Sequence, residues 1–572
     1  TFSYPLRKAA IPFEIVTKIE KSDGMGGFTD IEYTYYNGSI QTNRHSFVGF
    51  KKIRKKENAH NSMTESYFEF DSTYCLSALC RSAEYGIAWN NIRTDSYYTN
   101  TLTTLRDGTK AFSNSGVFTT YYDHNTNLSY LTVREQTKLD SFGFPTYQVR
   151  TINSADSVTT ETTYAHDVES GILGIVTKSE QITERHNSDP IAIIQDFEYD
   201  KNYNITKQIE WRDGETTTTL NKYDYAGNCI ERSIIAGEDS RTTKYTYSGY
   251  KRLLHETDPE GYTSSYSYYA DGLIHTHKNM DGIKSEYEYD AFQHPIKETI
   301  GNKKHIEVSR WSNGIIGAPE NSLYLTVSQT EGEGAVITFY DSLGRKLREK
   351  TQVFGGKSIY RDWVYNPNGT ITKESLPYFS DDIPKWNTFN YDGVERMVKK
   401  TFFDGKTETH MYVSNGRGED TEYGHESYDR YGHYSLTGTN AYGQRIKVYE
   451  NDYRTIDYIY DSNGLCTSIK APGKTINMGY DGRGNRTSLD DPDTGEYVFT
   501  YNGFGQKKTK SNLGGNNVIE YEYDNAGQMI SMAADDCAHE YTYHTSRKGV
   551  LLSSSYDSSA SDICNIYYEY DD

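Results

Sequence analysis

Aromatic and polar positions alternate along much of this chain, and the alternation is punctuated at regular intervals. Phe197-Glu198-Tyr199-Asp200 is the first clear instance: two rings two residues apart, a charged residue between them, then an aspartate. Side chains of an extended strand alternate between faces, so Tyr-x-Tyr places both rings on one face and the intervening Glu or Thr on the other. The following aspartate and glycine are turn residues, Asp because it bonds nearby backbone and Gly because it accepts a positive φ. A second alternating run such as Lys207-Gln208-Ile209-Glu210-Trp211 then leads to another tight turn. Asp213-Gly214, Asp281-Gly282 and Asp404-Gly405 are Asp-Gly pairs between such runs, a strong hairpin signal. One unit is therefore two short strands and two turns.

The unit repeats in phase. Tyr199, Tyr223, Tyr247, Tyr268 and Tyr289 step by 24, 24, 21 and 21 residues, with Asp200, Asp224-Tyr225-Ala226-Gly227-Asn228 and Asp290 closing three of the blocks. Tyr340-Asp341-Ser342-Leu343-Gly344-Arg345, Tyr365-Asn366 and Tyr391-Asp392 continue at steps of 25 and 26. A last group steps by 20, 21 and 22: Tyr460-Asp461 with Gly464, Tyr480-Asp481 with Gly484-Asn485, Tyr501-Asn502, and Tyr523-Asp524 with Gly527. About twelve units lie between residues 195 and 545, and a period in this range marks one supersecondary unit stacked many times. Isolated hairpins are marginal in water, so the units must pair edge to edge. The expected fold is all-β: a long, curling antiparallel sheet of repeated β-hairpins, with contacts mostly between neighbouring repeats.

Composition at first opposes this reading. A mean hydropathy of -0.79 and a net charge of -20 lean toward disorder, but disordered chains are poor in aromatics and rich in proline. This chain is 14% aromatic with 54 Tyr and only 12 Pro among 572 residues. Hydropathy scales count tyrosine as polar although each ring buries roughly 150 to 250 Å². Tyrosine therefore supplies much of the apolar area. Helical periodicity is scarcely found, and no run of 18 apolar residues or signal peptide occurs. The chain opens at Thr1 in a strand-like stretch and is expected to be a fragment or processed piece of a longer protein. Cys75, Cys80, Cys229, Cys466, Cys537 and Cys564 have no zinc-ligand spacing and are expected as isolated thiols.

Few residues carry candidate chemistry. His275 and His277 share a strand face, with His255 a repeat earlier; they are metal-ligand types, and exposed histidines on a polar face explain them more simply. Cys537-Ala538-His539 beside Asp535 and Asp536 reads as a turn for want of a second ligand pair, and Asp491-Pro492-Asp493-Thr494-Gly495-Glu496 lacks the later positions of a calcium loop. The basic run Lys51 to Lys56 is read as a solvated strand, because nucleic-acid binding needs a basic face of some extent. Gly24-Met25-Gly26-Gly27 is a turn, since no helix pattern follows it to make a phosphate cradle. Tyrosine and tryptophan rows could bind sugars, but cross-strand packing needs the same rows. No catalytic residue, cofactor site or metal site is assigned.

Tyr-Asp-x-x-Gly-Asn and Tyr-Asp-x-Leu-Gly-Arg, with Asp258-Pro259-Glu260-Gly261-Tyr262 feeding Tyr266-Ser267-Tyr268, resemble the YD repeats of the Rhs family. Residues 42–53, from Thr42 to Ile53, resemble the segment preceding the Rhs repeats in the B components of bacterial Tc insecticidal toxins. The resemblance implies a hollow shell that encloses a cytotoxic C-terminal passenger until a bacterium delivers it outside the cell. It implies as partners that passenger, the remaining shell segments of the same gene or a partner chain, and a delivery or translocation component. From the residues themselves no cofactor, no nucleic-acid partner and no membrane-spanning segment is expected. Residues 1–150 are the expected pre-repeat region and 151–572 the repeat shell, with irregular insertions near 301–335 and 413–440. The closing core segment and cleaving aspartates of toxin-bearing members have no counterpart before the chain stops in mid-repeat at Tyr570-Asp571-Asp572. The chain is thus read as a structural wall, not an enzyme. An extracellular YD-repeat adhesion protein of wall-associated or teneurin type is the alternative, and a carbohydrate-binding or carbohydrate-active protein the weaker one.

Overall fold

Forty-six strands and one three-residue 3-10 turn at Phe354–Gly356 make up the regular structure, and no α-helix occurs among the described residues. The computed structural model describes residues 6–8, 14–24, 26–42, 47–86, 91–105, 108–123, 127–186, 188–249, 251–301, 303–415, 422–450, 454–558 and 564–570. The strands form one sheet, and each pairs antiparallel with the next along the chain almost throughout. Two places depart from this order. Leu6–Lys8 and Lys18–Ser22 both lie along one edge of Phe28–Gln41. Ser358–Tyr365 is shared, its second half pairing with Ile371–Ser375 and its first with Tyr378–Phe379, while Ile371–Ser375 passes on to Trp386–Tyr391.

Two kinds of turn join the repeat strands. Asp213 and Gly214, with φ of 46° and 78°, close a two-residue hairpin between Ile205–Arg212 and Glu215–Tyr223, the mirror-image turn whose twist matches the flanking strands. The other kind spans five residues. In Asp224–Asn228 the Asp224 N–H donates to Asn228 O at 2.9 Å and the Gly227 N–H to Asp224 O at 3.1 Å, with Gly227 at φ 83°. Asp281-Gly282 and Asp404-Gly405 close this longer kind of turn, opened by Asn279 and Phe402, so of these three Asp-Gly pairs Asp213-Gly214 alone forms the short hairpin.

The phased tyrosine sits at a register shift. Between Lys222 and Tyr223 the ladder slips by one residue, and the same slip falls at Tyr199, Tyr247, Tyr268, Tyr289, Tyr340, Tyr391, Tyr460, Tyr480 and Tyr523. A bulge bends its strand and increases the local twist. Placed once per repeat, it curls the sheet.

Curling brings distant turns together. The loop after the fourteenth strand, Ile205–Arg212, meets the turn after the thirty-eighth, Lys474–Tyr480, where Arg483 donates to Thr216 O at 3.0 Å, so one winding takes twenty-four strands. At roughly 4.8 Å per strand the circumference is about 115 Å and the diameter about 35 Å, far wider than the roughly 10 Å between packed sheets. The surface agrees with a wall open on both faces. The chain exposes 33421 Å², whereas a compact protein of 65.4 kDa exposes roughly 21,000 Å². Fully buried side chains are few, and Leu325 and Phe339, a cross-strand pair, are among them.

Hydrogen bonding continues through the irregular regions. Pro145–Ile152 pairs with Asp156–Asp167 across residue 150. Strands of up to 14 residues precede that point, against five to nine in most repeats. Loop 312–323 joins Lys303–Trp311 to Tyr324–Thr330, which remain paired. Thr407–Asn415, Glu422–Tyr428 and Tyr434–Thr439 are likewise paired through the second region.

Candidate functional site: repeat turns and the seam between windings

A wall functions through what curves it and what seals it. The repeat turn is held by its aspartate. Asp224 Oδ1 accepts from the Ala226 and Asn228 N–H groups, both at 2.9 Å, and Oδ2 accepts from Asn228 Nδ2 at 2.8 Å. Asp200 with Asn204 and Asp481 with Asn485 repeat the arrangement. Arginine replaces the asparagine at Asp341–Arg345 and Asp392–Arg396, and histidine at Asp290–His294. Gln528 does so at Asp524, whereas at Asp461 only the Leu465 N–H reaches the carboxylate. These donors hold the carboxyls of Asp200 and Asp224 below the usual range, the Asn204 and Asn228 amides first, and that of Asp290 chiefly through the His294 N–H. Gly227, Gly344, Gly464, Gly484 and Gly527 occupy the positive-φ position of their turns.

The phased tyrosines tie each repeat to the one before. Tyr223, Tyr268, Tyr391, Tyr460 and Tyr480 donate their hydroxyls to the carbonyls of Ile205, Leu253, Ile371, Arg445 and Cys466, at 2.7–2.9 Å. In every case the acceptor is the fifth residue after the first residue of the preceding turn. Tyr199 reaches Val176 O in the same way. Tyr289 packs edge-on to Tyr269, and Tyr340 stacks on Tyr324 at 4.9 Å. Partial burial pushes the Tyr247, Tyr268, Tyr480 and Tyr523 hydroxyls above the ordinary tyrosine range. The two-residue spacing of the rings is readable in sequence; the hydroxyl tie is not, because it depends on strand register.

The seam joins turns of the second winding to loops of the first. Arg345 donates to Asp23 O, and His60 Nδ1 lies 2.7 Å from Glu395. Ser462 donates to Asp189 O at 2.7 Å, the Gly503 N–H to Asp239 at 2.7 Å, and Arg547 Nε to Asp281 O at 2.9 Å. Lys548 Nζ pairs with the buried Asp258 at 2.8 Å. The partners are 264 to 335 residues apart. Glycine permits the approach: a methyl on Gly503 would overlap the Ala236 carbonyl oxygen, and one on Gly24 would stand 2.7 Å from Asp341 Oδ2. Asp341 is fully buried beneath the first winding. A repeat of nearest neighbours alone does not describe this molecule, because the seam adds contacts a full winding away.

These features coincide with comparisons to known proteins. A family model described as RHS Repeat matches residues 460–496, the segment containing the Tyr460 and Tyr480 blocks. The crystal structure of TcdB2-TccC3 aligns over 95% of this chain and 39% of its own, at 12% identity and a TM-score of 0.63. The TcdB2-TccC3-Cdc42 crystal structure aligns over 95% and 40%, at 10% identity and a TM-score of 0.61. A Photorhabdus luminescens Tc holotoxin pore aligns over 94% and 40%, at 11% identity and a TM-score of 0.61. The chain carries an RHS repeat and shares the fold of the Tc-toxin chains. It spans about two fifths of the solved chains it matches. Curated protein sequences give no match.

Within this sheet the remaining candidates are occupied by packing. His277 stacks on Tyr266 at 4.5 Å and His275 on Tyr269 at 4.6 Å, and His255 pairs across the ladder with Ser265. Cys537 and Ala534 flank the two-residue turn Asp535-Asp536, with His539 against Tyr556. Asp491 and Gly495 close a hairpin, and Asp493 pairs with Lys474. No cluster suited to a metal ion occurs among the described residues. The basic run lies on strand Phe47–Glu57 and is met by carboxylates along it: Lys52 and Arg54 both bind Glu65, at 2.6 and 2.7 Å, Lys55 pairs with Glu57, and Lys56 lies 4.0 Å from Glu32. Burial alone would raise the Glu65 carboxyl, but hydrogen bonds from Lys52, Tyr67 and Arg54 hold it at about 2. Of the pre-repeat passage, residues 43–46 lie outside the described residues, as does Met25 of the glycine turn. No helix is long and apolar enough to cross a membrane among the described residues.

Proposed function

We propose that this chain is wall of a bacterial Tc-type toxin shell, delivered outside the producing cell, whose lumen shields a cytotoxic C-terminal passenger. The observation that carries the reading is the seam. A ribbon one sheet thick, wound at about 35 Å and sealed turn to loop, encloses space without filling it, and each strand edge is paired with its neighbour along the ribbon. The solved relatives pair TcdB2 with TccC3, which supports a partner segment completing the shell and a delivery component receiving it. The wall itself is non-enzymatic in this reading, since its polar side chains are spent on turns, ladders and the seam. The test is protease protection of the protein produced together with the coding sequence adjoining it. The passenger segment should resist digestion until denaturant opens the ribbon. Digestion at the rate of the isolated segment would overturn the reading.

A second reading, extracellular adhesion, draws on one free rim of the first winding. There Tyr225, Phe292 and Ile316 stand 100%, 82% and 95% exposed on turns of the same side. Binding of the chain to intact cells, abolished by Tyr225→Ala with Phe292→Ala and leaving protease protection unchanged, would favour it.

A further inference from the structure

Two turns of the second winding differ from the rest in sequence and in what they hold. Asn440-Ala441-Tyr442-Gly443-Gln444 and Asn502-Gly503-Phe504-Gly505-Gln506 are the only Asn-x-aromatic-Gly-Gln segments in the chain. In each, an arginine of the first winding lies over the aromatic ring: the Arg185 guanidinium is 4.0 Å from the Tyr442 ring centre, and Arg241 is 4.0 Å from that of Phe504. In each, the same arginine donates to the glutamine carbonyl, Arg185 to Gln444 at 2.9 Å and Arg241 to Gln506.

The asparagine explains why the glutamine carbonyl is available. An aspartate at the first position accepts the carboxamide N–H₂, as Asp524 does from Gln528 at 2.7 Å. An asparagine donates instead, Asn440 to Gln444 and Asn502 to Gln506, both at 3.0 Å, so the carboxamide oxygen faces the turn and the guanidinium. Its N–H₂ then points onward to the next repeat, Gln444 to Gly464 O at 2.9 Å and Gln506 to Gly527 O at 2.8 Å. Where the first position keeps Asp, at Asp524, the residue of the first winding that meets Gln528 is the Tyr262 hydroxyl, not an arginine.

We infer that the Asn-x-aromatic-Gly-Gln turn is a guanidinium-binding socket, through which Arg185 and Arg241 lock the register between successive windings alongside the other seam contacts. A planar guanidinium satisfies both halves of the socket at once, its face on the ring and its edge on the carbonyl, which an ammonium does not. The inference concerns how the ribbon is held coiled and is independent of what the lumen contains.

The test is hydrogen exchange with small-angle scattering on the full 572-residue chain carrying Arg185→Ala and Arg241→Ala. Peptides containing the seam amides of Ser462 and Gly503 should exchange on the order of tenfold faster, and the radius of gyration should rise. Peptides from the middle of the strands should keep their protection. Arg232→Ala, on an arginine bonded within the sheet to Asn221, should leave the seam as it is. Unchanged seam exchange and unchanged radius in the double variant would overturn the inference. If that variant fails to fold, Arg185→Lys with Arg241→Lys decides the matter: loss of seam protection with the charge retained supports the socket, and full protection refutes it.

Discussion

At the scale of the residue, the repeat signature divides its work between two side chains. The tyrosine packs and ties; the aspartate shapes the turn. Tyr480→Phe removes the hydroxyl that donates to Cys466 O and keeps the ring, so the expected loss is about 1 kcal/mol of local stability. Asp481→Ala removes the acceptor of the Arg483 and Asn485 N–H groups and of Asn485 Nδ2, and should cost roughly 1–3 kcal/mol. Native-state hydrogen exchange of the strands flanking each site measures both, and an Asp481→Ala loss smaller than that of Tyr480→Phe would contradict this division. The shared face of Tyr-x-Tyr was legible because strand periodicity is local. The asparagine, arginine or histidine four residues after the aspartate was equally open to reading, since the spacing recurs. The hydroxyl tie from Tyr480 to Cys466 was not, because nothing in a single repeat states which neighbouring carbonyl the register brings beneath the ring.

Strands and turns follow their sequence closely where turn chemistry decides, and less closely where distant chain decides. The Asp-Gly pairs announce hairpins, but Asn279 and Phe402 convert two of them into the longer turn by starting the loop two residues earlier. A nearest-neighbour repeat would confine the effect of altering Asp281 and Gly282 to one hairpin. Instead Arg547 donates to the Asp281 carbonyl and lies 3.1 Å from where a Gly282 methyl would stand, so the substitution reaches a turn 266 residues away. Gly503 isolates this effect, for its φ is not positive and the nearest obstacles to a side chain there are all atoms of Ala236, its carbonyl first. Gly503→Ala should therefore cost roughly 1–3 kcal/mol and raise exchange on both sides of the seam, in residues 236–241 as well as 502–506. Gly473→Ala, at φ 76° with open space around it, should disturb its own hairpin only. Equal spreading of the two effects would show that the seam is not the contact Gly503 serves.

For the whole molecule, the curl was legible and the closure was not: bulges placed once per repeat bend a sheet, but the number of strands per winding follows from contacts between residues some 270 apart. The repeat ties and turn aspartates set the response of the coiled ribbon to pH. The phased tyrosines have hydroxyls raised above 10.0 by burial, among them Tyr223, Tyr268, Tyr391, Tyr460, Tyr480 and Tyr501. A raised acid is neutral in the folded chain while its unfolded counterpart ionises, so their contribution is intact below about 10 and is lost as pH climbs through the raised values. The turn aspartates run the other way. Asp200, Asp224, Asp290 and Asp429 are held below 3.8, so their contribution is intact above that value and fades as pH falls through the lowered ones. Between these limits neither set titrates. The radius of gyration and the near-ultraviolet tyrosine signal should therefore stay level from about pH 5 to about pH 9, and the ribbon should open together with tyrosinate absorbance above about pH 10. Opening near neutral pH would place control of the coil elsewhere than in the tyrosines and turn aspartates. Tyrosinate forming at the pH of a free peptide, with the radius unchanged, would mean that the buried hydroxyls do not hold the repeats together.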